Sequence, residues 1–152
     1  MPGMLYEVSA RKKYEKEEIK MAQKNNVAML KVVLVIYAVI CIIYGIGFLF
    51  VPGIWISLSE SGPVDYGWLR WPGGIIIALG IGALMVYRKP EKQSTFVFAI
   101  ALASLLAGLG MLYSLIRTEY SGTTMFITLP TVLLLVLSGF LWWGRQRAKA
   151  IL

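Results

Sequence analysis

The chain has 152 residues, 58% of them hydrophobic and 15% charged, with a net charge of +7. Soluble domains run at about 45–50% apolar, so a chain this short and this apolar lacks the surface of a soluble globule and reads as one membrane domain. It has no histidine and one cysteine, Cys41. That excludes an internal disulfide and removes the usual haem ligand, the commonest zinc ligand and the usual general base at neutral pH.

The positive residues flank apolar runs, so the expected partners of the charge are membrane lipid headgroups, not nucleic acid. Residues 1–30 are polar and charged, and helix formers dominate from Tyr6 to Lys24. Glu15, Glu17 and Glu18 alternate with Lys and Arg, as on a solvated helix with exposed pairs. Leu5, Val8, Tyr14, Ile19 and Met21 make only a ragged apolar stripe. The segment is therefore expected to be a charged cytoplasmic lead-in helix, with docking on the membrane surface or on a partner as the alternative.

The first span is expected near 31–51. It starts behind the charged segment and is too long for a signal sequence. Pro52 and Gly53 stop it. In the connection that follows, Trp55, Tyr66, Trp68 and Trp71 are polar-tipped aromatics suited to a headgroup belt, and Ile54, Trp55, Ile56 and Leu58 fit a short interfacial turn. The second span is expected near 72–88. Pro72 stands at its start, or within it as a kink if Tyr66–Trp71 is already helical. Gly74, Ala78 and Gly82 recur at every fourth residue, a small-residue face that lets helix backbones approach closely. After the basic turn Arg88–Lys92, a third span is expected near 94–116, with Ser94 as N-cap. It carries a second small face, Ala99, Ala103 and Ala107, so the second and third spans are expected to pack small face to small face. The fourth span is expected near 126–144, with Pro130 in its first turn, ahead of a basic tail over 145–152.

Thirteen of the fifteen Lys and Arg residues lie before the first span, between the second and third, or after the fourth; only Arg70 and Arg117 lie on the other side. Cytoplasmic loops carry the excess of positive residues. The expected architecture is an all-α, four-helix transmembrane bundle with both termini cytoplasmic, in the cytoplasmic membrane of a prokaryote.

The layout resembles the DoxX-like superfamily of four-helix membrane proteins, and within it the DUF4345-type proteins. The resemblance rests on Pro52 after the first span, a polar loop, Arg70, the pair Gly73 and Gly74, and the run Ala78-Leu79-Gly80-Ile81-Gly82. It covers roughly Val35 to Leu115, and the long charged N-terminal segment departs from it. The resemblance implies a redox accessory role, since named members are associated with quinol oxidase or thiol redox systems.

Chemistry is sparse. No acid or base lies within the apolar spans, where ionisable groups mark ion pathways and proton relays, which argues against a proton-coupled transporter. There is no CxxC pair and no phosphate-binding glycine loop. One polar constellation lies at the Trp-rich end: Glu60, Asp65, Arg70, Arg117 and Glu119. Arg70, flanked by Trp68 and Trp71, reads either as a donor to a lipid headgroup, quinone head or other anion, or as the partner of Asp65 or Glu60 in a loop ion pair. Tyr37, Cys41 and Tyr44 share one face of the first span. They read as interhelical hydrogen-bonding groups, or as the hydroxyl lining of a quinone or lipid pocket.

The leading expectation is a non-catalytic structural or accessory subunit of a larger membrane complex, assembled with other subunits or by self-association. The alternative is a lipid- or quinone-binding protein using the Arg70 cluster. A passive transporter ranks third, because the spans supply no obvious polar lumen. No cofactor is required.

Overall fold

The structure is a computed structural model describing residues 3–149 and 152; the side chains of Leu5, Val8 and Ile19, and of several neighbours before Asn25, lie outside the described residues, as do Ala150 and Ile151. It is all helical, with α1 Gly3–Phe50, α2 Pro52–Ser59, α3 Gly67–Arg88, α4 Ser94–Ile116 and α5 Thr124–Arg147, and no strand among the described residues. Four stretches are long and apolar enough to cross a membrane: Asn25–Phe50 of α1, and α3, α4 and α5. At 22 to 26 residues each they are about 33–39 Å long, against a hydrocarbon core of about 30 Å. Apolar side chains are exposed along all four, among them Ile43, Met85, Leu106 and Val136. That is how a helix looks when its outer face meets lipid.

The charged segment and the first span form one continuous helix. α1 ends at Phe50, and Pro52 then opens α2 at a position where its missing N–H costs nothing. α3 starts at Gly67, whose N–H donates to Asp65 Oδ1 at 2.8 Å, so Tyr66–Trp71 is largely helical and Pro72 lies inside the span. Two local expectations are corrected. Pro130 is the seventh residue of α5, not in its first turn, because the helix begins at Thr124. Ser94 is not the N-cap of α4, which is Gln93; the Ser94 hydroxyl and carbonyl instead accept from Arg145 Nε, both at 3.1 Å.

The helices pair as two antiparallel hairpins of neighbours, α1 with α3 and α4 with α5, joined where α1 meets α5. The α1–α3 seam is nearly backbone to backbone. A Cβ at Gly73 would lie 2.8 Å from Leu49 N and 3.0 Å from Gly45 O, and one at Gly80 would lie 3.0 Å from Cys41 Cβ. In the α4–α5 seam, a Cβ at Gly108 would lie 2.9 Å from the Leu135 side chain, and the Ser138 hydroxyl donates to Ala101 O at 2.9 Å.

The expected packing of α3 against α4 is corrected. The two helices hardly touch, and their small faces point elsewhere. Gly74 and Ala78 are exposed, as are Ala99, Ala103 and Ala107, while Gly82 meets the ring of Phe96. The buried residues of α3 are a different set, Gly73, Gly80, Ala83 and Val86. Neighbour order around the bundle is therefore α3–α1–α5–α4, a ring left open between its first and last members.

Burial is uneven along the bundle axis. The core residues Leu30, Leu34, Tyr37, Ala38, Ala83, Val86, Val97, Ile100, Leu137 and Leu141 cluster toward the end that carries the basic residues. There Lys31 Nζ lies 5.5 Å from the Tyr87 ring centre, Arg145 Cζ 5.2 Å from that of Phe98, and Arg147 Cζ 4.7 Å from that of Trp143. The other half of the bundle is hollow.

Candidate functional site

The hollow is a cavity of about 510 Å³, within the range of about 300–1,000 Å³ usual for small-molecule sites. All five helices contribute to it. Its closed end lies near the middle of the apolar stretch of α1 and of α4, where Tyr37, Cys41 and Ser104 come together; Tyr37 is only 3% exposed and its hydroxyl neighbours the Cys41 thiol and the Ser104 hydroxyl. The Ser104 hydroxyl donates to Ile100 O at 2.8 Å, and Tyr37, Cys41 and Ser104 all line the space.

Aromatic rings roof the other end. Trp55, on α2, stacks on Tyr44 with ring centres 5.0 Å apart, and meets Phe48 and Phe126 edge-on at 5.6 and 6.3 Å. The indole can lie there because Gly47 beneath it has no side chain; a Cβ would overlap the ring. Apolar walls from α3 (Leu69, Ile76, Leu79), α4 (Ala103, Ala107, Met111) and α5 (Ile127, Leu133, Leu134) join the two ends. Both Tyr37 and Phe48 line the space, and at roughly 1.5 Å rise per residue they stand about 16 Å apart along α1.

Above the roof, the α2–α3 and α5-leading connections are clasped together. Thr123 N–H donates to Ser59 O at 2.7 Å, Ser61 Oγ to Ser121 O at 3.2 Å, and Thr123 Oγ1 to Glu60 Oε2 at 3.1 Å. Gly122 permits this approach: its φ is +98°, and a Cβ there would run into Ser59 O and lie 3.0 Å from Ser61 N. Gly122→Ala is expected to lower stability by about 2 kcal/mol or more, through backbone strain and the lost clasp. Gly62→Ala, in a loop position with no atom within 4 Å of its new Cβ, is the matched control. Thermal melting in detergent should separate the two.

The polar residues singled out in the sequence are not gathered into one site. Arg70 is exposed and lies in no ion pair among the described residues, with Trp68 70% and Trp71 59% exposed beside it. Glu60 bonds Thr123, Asp65 bonds the start of α3, and Arg117 faces Glu119 at 3.8 Å. The expected pairing of Arg70 with Asp65 or Glu60 is therefore absent. The two connections do converge, but through Ser and Thr hydroxyls.

Of the two small-residue faces, Ala103 and Ala107 of α4 line the cavity, whereas Ala99 of α4 and Gly74, Ala78 and Gly82 of α3 do not. The shared face of Tyr37, Cys41 and Tyr44 does open on a pocket. Trp55, Phe126 and Ser104 complete that site, with the Trp55 ring turned inward onto Tyr44, Phe48 and Phe126. No protein-family model, curated protein or solved structure matches the chain, so the site rests on its own geometry.

Proposed function

We propose that the protein is an integral membrane protein that holds a hydrophobic small molecule inside its bundle, without carrying out chemistry on it. The observation supporting this reading is the cavity itself. It is apolar along its walls and aromatic in its roof, with the hydroxyl and thiol groups of Tyr37, Cys41 and Ser104 at the closed end and the hydroxyls of Ser59, Ser61, Ser121 and Thr123 at the clasp. A void of about 510 Å³ would forfeit much dispersion energy if it stayed empty, and a lipid-like molecule from the bilayer is the natural filling. The positive-residue asymmetry supports an orientation with both termini, and the basic end, cytoplasmic. The aromatic roof and the clasp then lie at the outer side.

The test is retention. Protein purified in mild detergent should carry about one molecule of extractable hydrophobic ligand per chain by mass spectrometry. Ala107→Phe should release most of it: Ala107 is exposed and lines the cavity, so the new ring fills the space without disturbing a packed seam. Equal retention by both proteins would mark the ligand as boundary lipid and sink the reading.

A second reading, an accessory subunit of a larger complex, is supported by the exposed pair Gly74 and Ala78, with no neighbouring atom within 4 Å of a Cβ at Gly74. A small-residue helix face of this kind suits close packing by another transmembrane helix. A subunit lost from a native-membrane preparation on Gly74→Leu would support it, and an unchanged subunit pattern would count against it.

A further inference from the structure

We infer that the cavity selects an uncharged lipid-like molecule, an apolar body bearing a carbonyl or hydroxyl group, and admits it sideways from the bilayer between α3 and α4. This rests on the cavity reading above and adds the charge of the ligand and its route.

The charge follows from the lining. Among the described residues, no Lys, Arg, Asp or Glu lines the cavity. The Glu60 carboxylate is held on Thr123, which does line it. Arg117 is turned to Glu119 and Arg70 is exposed, and neither reaches the lining. A phosphate drawn into this space would lose its hydration, gain no cation and meet a carboxylate near the clasp. Burying an unpaired charge is far costlier than burying a carbonyl or hydroxyl that finds a donor. Groups able to hydrogen-bond such an oxygen line the space: the Tyr37 hydroxyl and the Cys41 thiol lie together with Ser104 at the closed end, and the clasp adds the hydroxyls of Ser and Thr residues at the other.

The route follows from the helix order. α1 packs closely on α3 and α4 on α5, α1 meets α5 less extensively, and α3 and α4 barely meet, which makes the α3–α4 side the widest gap between neighbouring helices. At the basic end the gap is stopped by Phe96 lying against Gly82. Toward water the path is crossed by the hydrogen-bonded clasp of Ser59, Ser61, Ser121 and Thr123. Between those two closures, α4 presents the small side chains Ala103 and Ala107, both exposed and both on the cavity lining. The small face on α4 therefore serves as the frame of an opening.

The test uses the full chain in detergent with Trp68, Trp71, Trp142 and Trp143 changed to Phe, all of them 40% or more exposed, which leaves Trp55 in the roof as the fluorescent reporter. Probes are a brominated monoacylglycerol, a lysophosphatidylglycerol with the same brominated chain, and a short-tailed prenylated benzoquinone. Bromine and quinone quench an indole they touch. Saturable quenching of Trp55 is expected with the neutral probes, the tighter of the two identifying the source of the oxygen function. The anionic probe should require roughly tenfold higher concentration or more, from the cost of an unpaired charge. Ala103→Leu combined with Ala107→Leu should slow the onset of quenching by the neutral probes several-fold more than it raises their half-saturating concentration, while the melting temperature stays within the error of the parent. Equal or tighter quenching by the anionic probe would overturn the charge selection, and an onset slowed no more than the half-saturating concentration is raised in the double Leu variant would overturn the lateral route. Absence of quenching by every probe would instead remove the cavity reading on which both depend.

Discussion

Gly73→Val is expected to be the most damaging single substitution in the chain, lowering stability by about 3 kcal/mol, while Gly74→Val next to it should change stability by less than about 0.5 kcal/mol. The contrast comes from what each new side chain meets. At Gly73 the atoms in the way are Leu49 N and Gly45 O, at 2.8 and 3.0 Å from an ideal Cβ. Both are backbone, so relief requires α1 and α3 to separate, which would also loosen the contact of Gly80 with Ala38 and Cys41. At Gly74 no atom lies within 4 Å. Melting temperatures of the two variants in the same detergent decide the matter. Equal damage at both positions, or greater damage at Gly74, would mean that the packed face of α3 is the Gly74–Ala78–Gly82 face after all.

Trp55→Ala carries the second large effect, on ligand rather than on fold. The indole is half-buried, lies flat over Gly47, and touches the rings of Tyr44, Phe48 and Phe126. Removing it opens the roof of the cavity and unsupports three other aromatic walls. A central aromatic contact of this kind is worth about 2 kcal/mol, or roughly a thirtyfold loss of affinity. Trp68→Ala is the control: it removes an indole that is 70% exposed and should leave ligand retention unchanged. Equal loss in the two variants would point to a general effect of interfacial Trp on membrane lipid, and would count against Trp55 as part of the site.

Some of this was legible in the sequence, for identifiable reasons. Four apolar runs of spanning length are a strong signal, because within lipid each backbone group must find its partner in its own helix. Proline and glycine at 52–53 marked a real break. The alignment of Tyr37, Cys41 and Tyr44 on one face was also readable, since residues spaced by three and four positions share a side of a helix.

Which helices would meet was not readable. The run WPGGIIIALGIGA carries small residues on two different helix faces. Gly74, Ala78 and Gly82 fit the four-residue template, whereas Gly73 and Gly80 are what α1 actually contacts. Spacing alone cannot choose between the two, because the choice belongs to the partner helix, which presents Gly45 and Ala38 at those levels.

The same limit hid the cavity. It exists because α3 and α4 stay apart, a tertiary fact with no local signature. Ala103 and Ala107 looked like packing residues because packing is the commoner use of small residues in membranes. Trp55 looked like a headgroup anchor because it is an amphipathic ring near the end of a span. Its inward placement depends on an empty position at Gly47, one turn before the end of α1. Arg70 drew notice as a cation between two Trp residues, and the fold leaves it at the surface, where side chains of this kind extend toward headgroups.

The central claim is an open bundle holding a ligand in its hollow half. Its most direct test is a structure of the protein in a lipid nanodisc by electron cryomicroscopy, with a bound antibody fragment supplying the mass needed for alignment. The prediction is elongated density, about 16 Å long, running from the Tyr37 and Ser104 hydroxyls to the underside of Trp55, with α3 and α4 apart. Leu79 packed directly against Ala103, with the space between them closed and no density within, would contradict it.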